Sequence, residues 1–283
     1  VLRARLITAA VAIPILIWVI FRAPLWAFDL VVLLATFVAL REYAAMAVEG
    51  FPHGTTMVIL GGMLIATAMG IGKSPWAASA ATVVTLAGVL VGTLAGSRRS
   101  NGTAGSSAGN AQPGDMEMRV NMAGQVLLGC LYGGLLIPHF IWVRGLPDGS
   151  GPNWVFFVLA CVMAGDAGGY FGGRAFGRRP LWPQISPKKT VEGALCSFVA
   201  SLLIGLGADA LVTRFLSTGE TVAIAGVINV LAQLGDLLES MLKRAYQAQD
   251  SGWILPGHGG VLDRTDSLVL PIVFVYYYAI LAG

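Results

Sequence analysis

The sequence predicts an all-α polytopic membrane protein with about nine transmembrane helices. Hydrophobic residues fill 56% of the 283 positions and mean hydropathy is +0.74, well above the roughly 45–50% apolar content of soluble domains. Apolar runs recur at about 17–25 residues, the length a helix needs to cross a hydrocarbon core of about 30 Å. Basic residues also fall unevenly on alternate loops, as the positive-inside rule requires. The short alternating strands of a membrane barrel do not occur.

In order, the runs cover residues 6–21, 25–46, 57–72, 76–95, 122–143, 154–171, 193–213, 221–238 and 261–281. The first follows Arg3 and Arg5 in the manner of a signal peptide. It is longer than a usual signal core and the chain stays apolar after it, so we read it as a retained signal anchor. Residues 1–96 hold helices one to four. The stretch SRRSNGTAGSSAGNAQPGDMEMRVN, 97–121, is rich in Gly, Ser and Asn and reads as a flexible cytoplasmic loop with too little apolar surface to fold alone. Residues 122–283 hold helices five to nine and the chemically informative motifs.

Assigning loops to alternate sides of nine spans sorts the basic residues. One side receives Arg3, Arg5, Arg41, Arg98, Arg99, Arg119, Arg174, Arg178, Arg179, Lys188, Lys189, Lys243, Arg244 and Arg264; the other receives only Arg22, Lys73, Arg144 and Arg214. The richer side is expected to be the cytoplasm, with the N-terminus inside and the C-terminus outside. Loops 172–192 and 239–260 then share the cytoplasmic face. The net charge of +3 gives no sign of a nucleic-acid partner, and none is expected.

Charge is concentrated where the membrane should discourage it. Charged residues are 12% of the chain, yet Lys243, Arg244, Asp250, Asp263, Arg264 and Asp266 fall within 25 positions between two apolar runs. Asp236 lies near the end of the eighth span, with Ser240 one turn on and Glu239 and Lys243 at i,i+4. A helix end with snorkelling cations and capping acids accounts for these alone. It does not account for PGHGG and LDRTDS, which follow. The glycines around His258, Gly259 and Gly260 among them, permit close approach of backbone amides to a ligand. Asp263 and Asp266, joined by Asp236, offer hard oxygen ligands for Mg²⁺. Carboxylates for a metal beside Lys and Arg for phosphate oxygens suit phosphoryl or nucleotidyl transfer.

A second set of similar parts lies in MAGDAGGYFGGRAFGRRPLWPQISPKKTVEG. Asp166 is followed by Gly168, Gly169, Gly172 and Gly173, whose spacing serves either close helix packing or a ligand. Arg174, Arg178 and Arg179 partly answer the positive-inside rule. Lys188 and Lys189, beside an expected Ser-Pro turn and before the seventh span, are the better phosphate contacts. Elsewhere, Cys130, Cys161 and Cys196 stand singly and read as small buried hydrophobes. His53 and His139 read as interfacial or core residues, Asp29 and Asp209 as interfacial acids, and Tyr276 to Tyr278 as an aromatic belt.

The run SMLKRAYQAQDSGWILPGHGGVLDRTD, 240–266, resembles the signature of the phosphatidate cytidylyltransferases, also called CDP-diacylglycerol synthases. DAGGYFGGRAFGRR and ISPKKTVEG resemble the same family, so the likeness is strong over 166–267 and only a similar hydropathy pattern before it. Gln249 departs from the family's usual Lys; an amide supplies no cation to a triphosphate, so either turnover is reduced or Lys243, Lys188 or Lys189 substitutes. The resemblance implies conversion of CTP and phosphatidate to CDP-diacylglycerol and pyrophosphate at the inner membrane. It also implies a homodimer.

On that reading, Asp236, Asp263 and Asp266 hold Mg²⁺, with a second cation such as K⁺ in a two-metal arrangement, and act with Lys243 and Arg244 as the catalytic set. Lys188, Lys189, Ser240, His258, Gly259, Gly260, Arg264, Asp166 and Arg174 form the substrate-binding set. Two other classes share some of these features. An ion-coupled transporter would place its acids near mid-span. Among other CTP-using or CDP-lipid enzymes, a polyprenol kinase is the nearer alternative, because the DxxDGxxAR…GxxxDxxxD motif of the CDP-alcohol phosphotransferases is absent.

Overall fold

The computed structural model describes residues 13–48, 51, 53–99, 113–248, 251–252 and 259–282. Eight helices among them are long and apolar enough to cross a membrane, and the all-α polytopic fold class holds. The expected first span, 6–21, falls partly outside the described residues; positions 13–21 are helical.

The helices are α1 Leu25–Ala47, α2 Gly54–Gly72, α3 Pro75–Arg99, α4 Pro113–Leu131, α5 His139–Arg144, α6 Gly151–Phe176, α7 Val191–Ala208, α8 Thr218–Ala245 and α9 Leu262–Ala282. α4 and α5 belong to one long span, interrupted by a π-helical turn at Tyr132–Leu136 and by Pro138. Proline supplies no N–H to continue the ladder there. Helix starts follow local chemistry. Ser217 and Glu220 form a reciprocal capping box on α8. Thr190 Oγ1 accepts from Gly193 N at 3.1 Å to cap α7.

Three expectations need correction. The 97–121 loop is shorter than composition suggests, because α3 continues to Arg99 and α4 begins at Pro113. MEMRV supplies helix-forming residues, and proline suits a first helical position. The fold also contains a small antiparallel hairpin, β1 Pro180–Trp182 with β2 Ser186–Thr190. Ser186 and Pro187 therefore lie in a strand, the turn falling at 183–185. A two-stranded ribbon tolerates Pro187 because its strands are both edges.

Finally, the chain divides into two compact units: Leu33–Pro138, and His139–Gly283 together with the segment Val1–Val32. The boundary therefore falls inside the α4–α5 span, not at the Gly/Ser-rich stretch. Within Leu33–Pro138, Gly134 packs against the backbone of Gly62, where any Cβ would collide. Tyr43 donates its hydroxyl to Gln125 O at 2.9 Å. Within the other unit, α6 and α7 form the most extensively packed helix pair. A Cβ on Gly172 would run into the Cys196 side chain, which gives these glycines the packing role left open above. Buried His139 joins Trp142 and Tyr276 in a ring cluster. Cys130 and Cys161 are buried, Cys196 is partly so, and all three are free.

Candidate active site

The charged residues gather in the unit containing α6 to α9. α6 carries Asp166, β2 carries Lys188 and Lys189, α8 carries Asp236 to Arg244, and α9 begins with Asp263. A cavity of about 550 Å³ opens between α6, the hairpin, α7 and α8. Its walls include Asp166, Arg174, Lys188, Lys189, Gln233 and Asp236.

Two carboxylate–lysine groups organise the site. In the first, Lys189 forms an ion pair with Asp236. Asp166 interacts electrostatically with Asp236, Lys189 and Arg264, and Asp266 with Asp236 and Asp166. The approach of α8 to α9 is set by Gly235, because a Cβ there would strike the backbone oxygen of Asp266. Asp266 is only 6% exposed, and its Oδ1 accepts from Ser267 N at 2.6 Å.

In the second group, Lys243 Nζ lies 2.5 Å from Glu239 Oε2 and donates to Asp263 Oδ1 at 3.0 Å. Asp263 Oδ2 accepts from Gly260 N at 2.8 Å, and Ser251 N approaches the same carboxylate at 3.3 Å. Gly259 has φ +76°, and a Cβ on it would lie 2.7 Å from Asp263 Oδ2. A glycine with positive φ therefore holds the backbone against the carboxylate.

Glu239 was recognised in the sequence only as an i,i+4 neighbour of Lys243, yet it is 1% exposed and central to the second group. Gln233 and Asn229 were also missed. Their signal was available as amides inside an otherwise apolar run, VINVLAQLGD.

Arg174 is exposed at the cavity rim, its Nη1 3.5 Å from the Tyr170 hydroxyl. Arg244 and Arg264 are exposed and Ser240 is half-buried. Among the described residues, the side chains of Arg244 and Ser240 pair with no other group. His258 and Gln249 lie outside the described residues.

The chemistry of the donors fits Mg²⁺, although no three His, Cys, Asp or Glu among the described residues are arranged to ligate one ion. Mg²⁺ commonly takes one or two carboxylates and completes its shell with water and substrate oxygens. Lys189 and Lys243 place ammonium groups on Asp236 and Asp263, so each of these carboxylates already meets one cation within the protein.

Residues 3–282 match the model of the cytidylyltransferase family. A phosphatidate cytidylyltransferase of Bacillus subtilis (strain 168) is 40% identical over 154 residues, covering 54% of this chain and 57% of that protein. One of Synechocystis sp. is 39% identical over 183 residues, covering 55% and 61%. One of Mycobacterium bovis is 38% identical over 172 residues, covering 58% and 52%. The match thus spans between half and two thirds of each curated relative. With the family model covering nearly every residue, the chain belongs to the cytidylyltransferase family.

Proposed function

We propose that this chain transfers the cytidylyl group of CTP to phosphatidate, yielding CDP-diacylglycerol and pyrophosphate. The observation that carries the reading is the cavity in which Asp166 and Asp236 face Lys188, Lys189 and Arg174, in a chain about 40% identical to phosphatidate cytidylyltransferases. A phosphate oxygen of phosphatidate attacks the α-phosphorus of CTP. The bond from the α-phosphorus to the bridging oxygen breaks, and pyrophosphate leaves with that electron pair. The phosphomonoester is already anionic near neutral pH, so the step does not depend on a general base. Bringing two polyanions together is the greater barrier.

Lys188, Lys189, Arg174 and Arg264 bind phosphate oxygens and screen that repulsion. Lys243, fixed between Glu239 and Asp263, presents a positioned cation; Arg244 and Ser240 lie one turn or less away on α8. Gly259 and Gly260 bring backbone to the same place, and His258, which precedes them in the sequence, completes the proposed set. Asp236 and Asp266 in one group and Asp263 in the other are the proposed metal ligands, so the scheme carries Mg²⁺ and a second cation such as K⁺, with water and substrate oxygens completing each shell. When bound, Mg²⁺ supplies charge neutralisation on the triphosphate.

The excess of basic residues on one side of the spans favours a cytoplasmic active face in the inner membrane. Tyr170, exposed and lining the cavity, packs its ring edge-on against exposed Phe171, and this apolar pair suits lateral entry of acyl chains. A homodimer forms part of the same reading, to be checked by light scattering of detergent-purified protein. Purified protein given CTP, phosphatidate and Mg²⁺ should release pyrophosphate and form a CDP-lipid of the matching mass, and Asp263→Asn should lose both. Silence of the unaltered protein in lipid that supports folding would overturn the assignment.

A further inference from the structure

The cavity has a polar floor that phosphate chemistry does not use. Asn229, 1% exposed, donates Nδ2 to Ser197 Oγ at 2.9 Å and to Ser197 O at 3.3 Å. Gln233, one turn along α8, donates Nε2 to Asn229 Oδ1 at 2.5 Å and to Ala194 O at 3.4 Å. A backbone carbonyl can only accept, so Ser197 O fixes which end of the Asn229 amide faces α7. Asn229 Oδ1 and Ala194 O then require the NH₂ end of Gln233. Reversing Gln233 would set its oxygen against two other oxygens.

Both N–H groups of Gln233 are therefore spent inside the protein, and nothing among the described residues donates to its Oε1. Gln233 lines the cavity one turn deeper along α8 than Asp236. Across from it, Gly165 and Gly169 of α6 leave the wall without side chains. A Cβ on Gly165 would come within 2.5 Å of Asn229 Nδ2, so that glycine also protects the amide chain.

We propose that Gln233, held by Asn229 and Ser197, is the residue that selects cytosine over uracil, its Oε1 accepting from the exocyclic amine of the base. This rests on the proposed cytidylyl transfer and deepens it. Cytosine presents an N4 amine donor where uracil presents an O4 acceptor. A fixed acceptor rewards the first and repels the second. A site built to bond an N–H group discriminates strongly against an analogue lacking it, because the protein group is left unpaired. Gln233 touches the base and not the reacting atoms, so its effect should appear in nucleotide choice.

The test compares kcat/KM for CTP, UTP and the triphosphate of the pyrimidin-2-one riboside, which lacks the amine, in the unaltered protein and in Gln233→Met. The unaltered protein should prefer CTP at least about 100-fold over both competitors. Gln233→Met should bring the ratio of CTP to the amine-free analogue to within about threefold. Equal use of CTP and the analogue by the unaltered protein overturns the inference without requiring any variant to fold. A Gln233→Met protein that slows equally on every nucleotide also overturns it, since that is what a purely structural amide would do. Absence of product from every nucleotide overturns the proposed function together with this inference, whereas product from CTP with an unchanged ratio overturns the inference alone.

Discussion

The two carboxylate–lysine groups use similar parts in different settings. Lys189 reaches Asp236 from a two-stranded hairpin across an open cavity, and the two side chains keep 27% and 35% exposure. Lys243 joins Asp263 between two packed helices at 19% and 9% exposure, beside a Glu239 that is almost wholly buried. The first pair keeps partial contact with solvent and can exchange partners more cheaply. The second is locked by backbone N–H groups from Gly260 and Ser251, and loss of either charge leaves the other uncompensated. In the proposed reaction, an adaptable cation lining the cavity suits entry of a triphosphate, while the locked one suits positioning of a reacting group.

Chelation gives the largest expected effect and addresses both groups together. EDTA should abolish pyrophosphate release, and added Mg²⁺ should restore it; full activity in chelator would remove the metal from both. Next, Lys243→Met should lower stability by about 3 kcal/mol, by removing the ammonium that both Glu239 and Asp263 contact. Thermal unfolding in detergent reads this, and an unchanged midpoint would erase the distinction between the pairs. Lys189→Met should change stability by less than about 1 kcal/mol. Its kcat/KM should nevertheless fall roughly 100-fold, comparable to loss of one preorganised donor to a developing charge.

Two backbone changes sharpen the contrast. Gly235→Ala pushes a Cβ against Asp266 O and should cost about 2 kcal/mol through overpacking of α8 on α9. Gly259→Ala should cost about 1 kcal/mol from its left-handed backbone alone, plus a smaller kcat loss as Asp263 shifts. A Gly259→Ala protein as stable as the original would mean that the loop relaxes without disturbing the locked pair.

Much of this site was legible in the chain. Asp166, Lys189, Asp236, Lys243, Asp263 and Asp266 each stood out as a charge beside an apolar run, because burying a charge in a membrane protein is costly enough to mark function. What escaped was the pairing. The sequence grouped Asp236 with Asp263, whereas each contacts a different lysine. Glu239 escaped because a carboxylate four residues before a lysine also describes an ordinary surface helix pair. The hairpin escaped because PLW and SPKKT are too short for a periodic signal.

By itself the sequence determined the helical membrane class and the places along the chain where charge concentrates beside apolar runs. Both follow from local quantities: the length of an apolar run and the cost of a charge within it. Only the tertiary structure decided that Lys189 meets Asp236, that Glu239 is sealed beside Lys243, and that Gln233 lines the cavity with its Nε2 held by Asn229 and Ala194. Those outcomes depend on how α6, α7, α8 and α9 pack, often through glycines that let backbones touch, which no local pattern in the chain records.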